Sequence, residues 1–71
     1  MDLGKKIREI RFKKELSRHD LAETLNIGEN TLRRWESGKR TPDNEEKVRI
    51  AEALGVSVAY LLGRKDDKVL P

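Results

Sequence analysis

The 71-residue chain contains no cysteine, which excludes disulfides, thiolate chemistry and cysteine-held zinc. Its single histidine, His19, cannot make a histidine metal site alone and is a thin basis for acid–base catalysis. Proline occurs only at 42 and 71, and glycine only at 4, 28, 38, 55 and 63; most of these positions punctuate short apolar patterns. No apolar run approaches the roughly 18 residues of a membrane span, and there is no secretory h-region, so the expectation is a cytosolic protein with no membrane partner. No stretch alternates apolar and polar residues long enough for a strand. The apolar share is 35% against 41% charged, which excludes a large uniform core. At this length only about 60% of the unfolded surface can be buried, leaving one domain and no deep substrate cavity. No Ser–His–Asp grouping, metal-ligand spacing or phosphate-cradling glycine loop is present. The expectation is therefore no catalytic residue, no metal, no cofactor and no small-molecule substrate.

What is present is charge, unevenly placed. Sixteen Lys and Arg against thirteen Asp and Glu give +3. Residues 1–40 hold eleven basic and seven acidic side chains, and residues 41–71 hold five and six. A basic half beside a near-neutral half suits a protein with one face for a polyanion. A solvated helical surface of mixed charge would give the same arithmetic.

The apolar residues recur at helical spacing. Leu3, Ile7 and Ile10 make one face, with Asp2 as its N-cap and Phe12 off the stripe and half exposed. Ser17 and Asp20 form an S-x-x-D start for a second helix, whose buried face is Leu21, Ala22 and Leu25. Asn26 follows, a residue that tolerates the left-handed conformation. A third helix runs from about Gly28 to Ser37 on Leu32 and Trp35, with Gly38 as its stop. A fourth begins at Asp43, with Glu46 three residues on and Val48, Ala51 and Leu54 as its core face, and ends at Gly55. A short fifth has Ser57 as cap, then Val58, Leu61 and Leu62, and Gly63 as stop. Tyr60 is expected to pack under it with its hydroxyl outward. Residues 1–63 are thus read as one domain, and 64–71 (RKDDKVLP) as a flexible charged tail.

Residues 17–38 carry the function. Two helices are joined by a turn over Asn26 to Glu29, and Leu21, Ala22, Leu25, Ile27, Leu32 and Trp35 face between them. Ala22 is small where the helices cross, and Asn26 takes the turn position that needs positive φ. The second helix then projects its polar face at a fixed angle to the first, the geometry of a DNA-reading helix-turn-helix.

Over residues 3–63 the chain resembles the Xre/Cro/phage-repressor family of helix-turn-helix domains. The pieces that carry the resemblance are Ile7-Arg8-Glu9-Ile10-Arg11, Leu16-Ser17, Leu21-Ala22, Trp35-Glu36-Ser37-Gly38, Lys39 through Pro42, and Ala51-Glu52-Ala53-Leu54-Gly55-Val56-Ser57. The resemblance implies a compact all-α, five-helix, lambda-repressor-like domain of bacterial, archaeal or phage origin, associated with the nucleoid. It implies a sequence-specific regulator of transcription, a repressor or autoregulator. Its partner would be double-stranded DNA with an inverted-repeat operator, bound as a homodimer. Three positions depart from the family pattern. Glu15 stands at the first helix exit, where Gly is common; Asn26 stands at the turn; Asn44 replaces an apolar residue, which predicts a loose corner there.

The resemblance puts the outward face near the start of helix three in the major groove. Glu29, Asn30, Thr31 and Arg34 are the candidate base readers: Asn can bond adenine, Arg guanine, and Glu cytosine N4. Ser17, Arg18, Arg33, Lys39, Arg40 and Thr41 are the candidate phosphate contacts. A carboxylate at Glu29 is repelled by phosphates, so it either reads a cytosine or is neutralised; an Arg18–Glu29 pair is the favoured expectation. Arg11 and Glu36 are read as a structural ion pair between helices one and three. Trp35 is read as core rather than a base-stacking residue, and His19 as a bystander rather than a pH switch. Val58, Tyr60 and the tail could join a partner subunit or simply form a half-exposed edge. The alternative function is a protein-interaction adaptor or antitoxin-type module that keeps the fold with little DNA reading; Glu29 and the small net charge support it.

Overall fold

The computed structural model describes residues 3–63. They form five helices: α1 Leu3–Lys13, α2 Arg18–Leu25, α3 Glu29–Ser37, α4 Asn44–Leu54 and α5 Val58–Leu61. The expected cap at Asp2 and the expected tail 64–71 lie outside the described residues.

Local chemistry starts and stops each helix. Ser17 Oγ accepts from the Asp20 N–H at 3.0 Å and opens α2, and Ser57 does the same for α5 through the Tyr60 N–H. At α4 the box closes in both directions: the Glu46 N–H donates to Asp43 at 2.7 Å and the Asp43 N–H to Glu46 at 2.8 Å. The corner expected to be loose at Asn44 is therefore closed by reciprocal hydrogen bonds, with Pro42 buried beside it, although Asn44 itself makes no core contact. The first four helices end alike. A residue one or two past the terminus takes positive φ, and the next N–H bonds back to a carbonyl five residues earlier: Leu16 to Arg11, Ile27 to Ala22, Lys39 to Arg34, Val56 to Ala51. This is the Schellman arrangement. Gly38 and Gly55 take the left-handed position in two of them; Glu15 and Asn26 do so at φ 57° in the others.

The core is Ile7, Ile10, Leu21, Ala22, Leu25, Leu32, Trp35, Ile50, Ala51, Leu54, Val56 and Leu61. α1 packs on α3 and α5, α2 on α3 and α4, and α4 on α5. One assignment is corrected. Val48 is 45% exposed, and Ile50, fully buried, takes its place. At 100° per residue the two stand about 160° apart on α4, so only one can face inward; the stripe is Ile50, Ala51 and Leu54. Gly4 is buried inside α1. A Cβ there would collide with the Trp35 carbonyl oxygen and lie 2.7 Å from that of Glu36. Glycine at this position is what lets α1 lie directly on α3.

Candidate nucleic-acid interface

Leu32 is fully buried and Trp35 is 2% exposed, which sets the rotation of α3 about its axis. The Trp35 Nε1–H has no hydrogen-bond partner, so the buried ring is held by packing. Opposite these two, at 100° per residue, stand Asn30, Arg33, Arg34 and Ser37 within an arc of about 100°. Asn30, Arg33, Arg34 and Ser37 are exposed, and together with Lys39 they line one open hollow. Arg33 Nη1 donates to Asn30 Oδ1 at 3.4 Å, a long contact along the helix.

The other candidate residues divide by position. Thr31 is half-buried on one flank of α3, and Glu29 is exposed on the other. Arg40 and Thr41 are exposed but line a separate hollow with Leu3, Gly4 and Pro42 at the start of α1. Ser17 is exposed and accepts the cap bond, which leaves its hydroxyl hydrogen free to donate. Arg18 is half-buried.

Two charge clusters hold the flank of α3 that faces the start of α2. In the first, Arg11 Nε donates to Glu36 Oε2 at 2.9 Å and its Nη2 to Oε1 at 3.3 Å, a two-pronged grip. Arg11 also donates to the Leu16 carbonyl at 3.0 Å, tying the end of α1 to the entrance of α2. Both side chains are almost fully covered, 6% and 4% exposed. The exposed Phe12 ring lies 4.9 Å from the Arg11 guanidinium and 5.3 Å from that of Arg8, covering a cation that would otherwise face solvent. Arg18 completes this cluster, with its Nε donating to Glu36 Oε1 at 3.3 Å.

The second cluster lies two turns back along α3. Glu29 Oε1 sits 2.8 Å from His19 Nδ1, and Glu23 lies 3.6 Å from the other ring nitrogen. The favoured Arg18–Glu29 pair is thus not the one formed: Arg18 serves Glu36, and His19, read as a bystander, takes Glu29. Arg18 and His19 are adjacent in the first turn of α2, about 100° apart. The crossing of α2 over α3 decides which meets which carboxylate. His19 is held above its ordinary pKa by the hydrogen bond to Glu29, then by the charges of Glu29 and Glu23. A further link absent from the sequence reading joins α4 to α2: Arg49 Nη2 donates to the Leu25 carbonyl at 2.6 Å, satisfying a carbonyl at the end of α2.

A helix-turn-helix family model matches residues 5–61. The chain belongs to the Xre/Cro-type helix-turn-helix DNA-binding family. It is 38% identical over 66 residues to the HTH-type transcriptional regulator ImmR of Bacillus subtilis, covering 93% of this chain and 52% of that protein. It is 28% identical to the cryptic phage CTXphi transcriptional repressor RstR of Vibrio cholerae, covering 90% of this chain and 58% of the relative. Among solved structures it superposes on the clp gene regulator ClgR from Corynebacterium glutamicum with a TM-score of 0.83 at 31% identity, covering 86% of this chain and 65% of that one. The chain therefore spans about half the length of the curated relatives it matches. Among the described residues no helix is long and apolar enough to cross a membrane. The matched span contains α2 and α3, the two helices joined by the turn at Asn26.

Proposed function

We propose that this chain is a sequence-specific regulator that binds double-stranded DNA, with α3 in the major groove. The observation that carries this reading is the uncovered face of α3. Asn30, Arg33 and Arg34 stand exposed on one side, while Leu32, Trp35 and the Arg11–Glu36–Arg18 cluster hold the other side rigid. A reading helix needs both, because base-edge hydrogen bonds tolerate little error in position. Glu29, Asn30, Thr31 and Arg34 read bases; a well-formed bidentate pair discriminates by about 1–3 kcal/mol. Ser17, Arg18, Arg33, Lys39, Arg40 and Thr41 contact phosphates, which fixes register without reading sequence. Lys39 shares the hollow of Asn30 and Arg34 and so flanks the same groove; Arg40 and Thr41 reach the backbone further along.

One reading helix spans only a few base pairs, so the domain works as a homodimer on an inverted repeat with half-sites about 34–36 Å apart. The repressor and regulator names of the relatives support this class of activity.

Selection of bound duplexes from a random pool tests the reading, with inverted repeats expected among the winners. Arg34→Ala is expected to relax preference at one base position at a cost of about 1–3 kcal/mol. Lys39→Ala is expected to weaken all sequences alike and reduce the salt slope by about one. Log affinity should fall with log salt at about 0.9 per phosphate contacted. A flat salt response with no enriched sequence would instead mark a protein-interaction module.

A further inference from the structure

We propose that His19 is a positioning residue for DNA reading: it carries a proton when α3 docks, offsetting the carboxylate of Glu29 at the entrance of the reading helix, so that operator affinity declines as the proton is lost. The inference rests on the DNA-reading function proposed above and adds a proton to it.

Three observations meet at this corner. Glu29 is the first residue of α3, on the end of the helix that would lie against the DNA. An anion there is favoured by the helix dipole but repelled by the phosphates. His19 Nδ1 lies 2.8 Å from its Oε1, near enough to hold the carboxylate in one direction. His19 is also the chain's only histidine, and the imidazole is the side chain whose unperturbed titration falls between about pH 5 and 8.

The charges around the ring favour the imidazolium. Glu29 faces it from α3, Glu23 from the next turn of α2 at 3.6 Å, and Asp20 is its chain neighbour. The nearest arginines point elsewhere: Arg18 donates to Glu36, and Arg33, one turn beyond Glu29, to the neutral amide of Asn30. The start of α2 opposes a cation through its dipole, yet the carboxylates prevail and the pKa of His19 is raised. DNA phosphates brought to this surface add negative charge and raise it again. By linkage, a group that binds its proton more tightly in the complex makes binding stronger where that proton is present. Affinity therefore falls as pH rises through the range in which His19 deprotonates, where Glu29 is left as an uncompensated anion beside the backbone.

The experiment measures affinity of the full chain for its selected duplex at constant ionic strength from about pH 6 to 8.5. The wild type is expected to weaken about two- to fivefold per protomer, the scale of an exposed charge pair. His19→Gln is expected to be level across the range at the weaker affinity. His19→Lys, charged throughout, is expected to be level at the tighter one. A nuclear magnetic resonance titration of His19 in the free protein should show a pKa above that of an ordinary histidine, moving back toward it in Glu29→Gln. A merely structural role for His19 would not produce opposite levels for the Gln and Lys variants. A pH slope that survives in His19→Gln, or a bound duplex whose wild-type affinity is level, overturns this inference and leaves DNA reading intact. A pool that yields no bound duplex overturns the DNA reading and this inference with it.

Discussion

Glu29 and Glu36 stand seven residues apart on one flank of the same helix, and each meets a basic side chain from the start of α2. Their surroundings make them different devices. Glu36 is 4% exposed and is gripped by Arg11, itself 6% exposed, with Arg18 alongside. Glu29 is 44% exposed and its histidine 68%. Solvent screens the second pair and barely reaches the first. The covered pair fixes where α3 lies; the open pair can tune what its exposed end presents. The C-terminal half of α3 is thus anchored to α1, while its N-terminal end carries a charge that can be changed without unseating the helix.

The largest test of that contrast is removal of each carboxylate. Glu36→Ala leaves the Arg11 guanidinium buried without its partner, a loss expected to cost about 3–5 kcal/mol. That is a large part of the roughly 5 kcal/mol available at the low end for small domains, so chemical denaturation should show a domain near its unfolding limit. Glu29→Ala is expected to lower the denaturation midpoint only slightly, because the pair it breaks is in water. Equal losses from the two variants would mean that burial does not separate them.

A second test reaches the anchored half without touching its charges. Gly4 lies against the backbone of Trp35 and Glu36, and backbone cannot swing away as a side chain would. Gly4→Ala is expected to push α1 off α3 at about 1–3 kcal/mol, the range for overpacked sites. The same push stretches the Arg11–Glu36 bonds, so Gly4→Ala and Glu36→Ala should be less than additive in a double-mutant cycle. Gly28 gives the control: a Cβ there meets nothing within 4 Å.

The uneven legibility of this corner follows from what each feature depends on. Caps and stops are local, so Ser17, Asp43, Ser57, Gly38 and Gly55 could be read from a few neighbours. The outward face of α3 was equally readable, because Leu32 and Trp35 leave one choice of rotation. On α4 the spacing of Val48, Ala51 and Leu54 is as helical as that of Ile50, Ala51 and Leu54; the decision belongs to α2 and α5, which pack on that helix. The packing role of Gly4 is not legible, because close approach of another backbone leaves no mark in its own segment. Partner choice was harder still. Arg18 and His19 occupy one turn, and only the crossing of two helices assigns Glu36 to one and Glu29 to the other. Glu15 was flagged from its position and does take φ 57°. A non-glycine residue pays about 1–2 kcal/mol in that conformation, so Glu15→Gly is expected to stabilise the domain modestly in the same denaturation assay.

The smallest effect is the dependence of folding stability on pH, and it is a test of the open pair. His19 has a raised pKa in the folded domain. Folding therefore gains from its proton, and the gain is complete below the ordinary histidine value of 6.5. It is lost as pH rises through the higher folded value. Thermal unfolding from about pH 6 to 8.5 should show a slight decline that vanishes in His19→Gln and shrinks with added salt. A decline of the same size in His19→Gln would place its source elsewhere in the chain, and the open pair would then have no measurable proton linkage to folding.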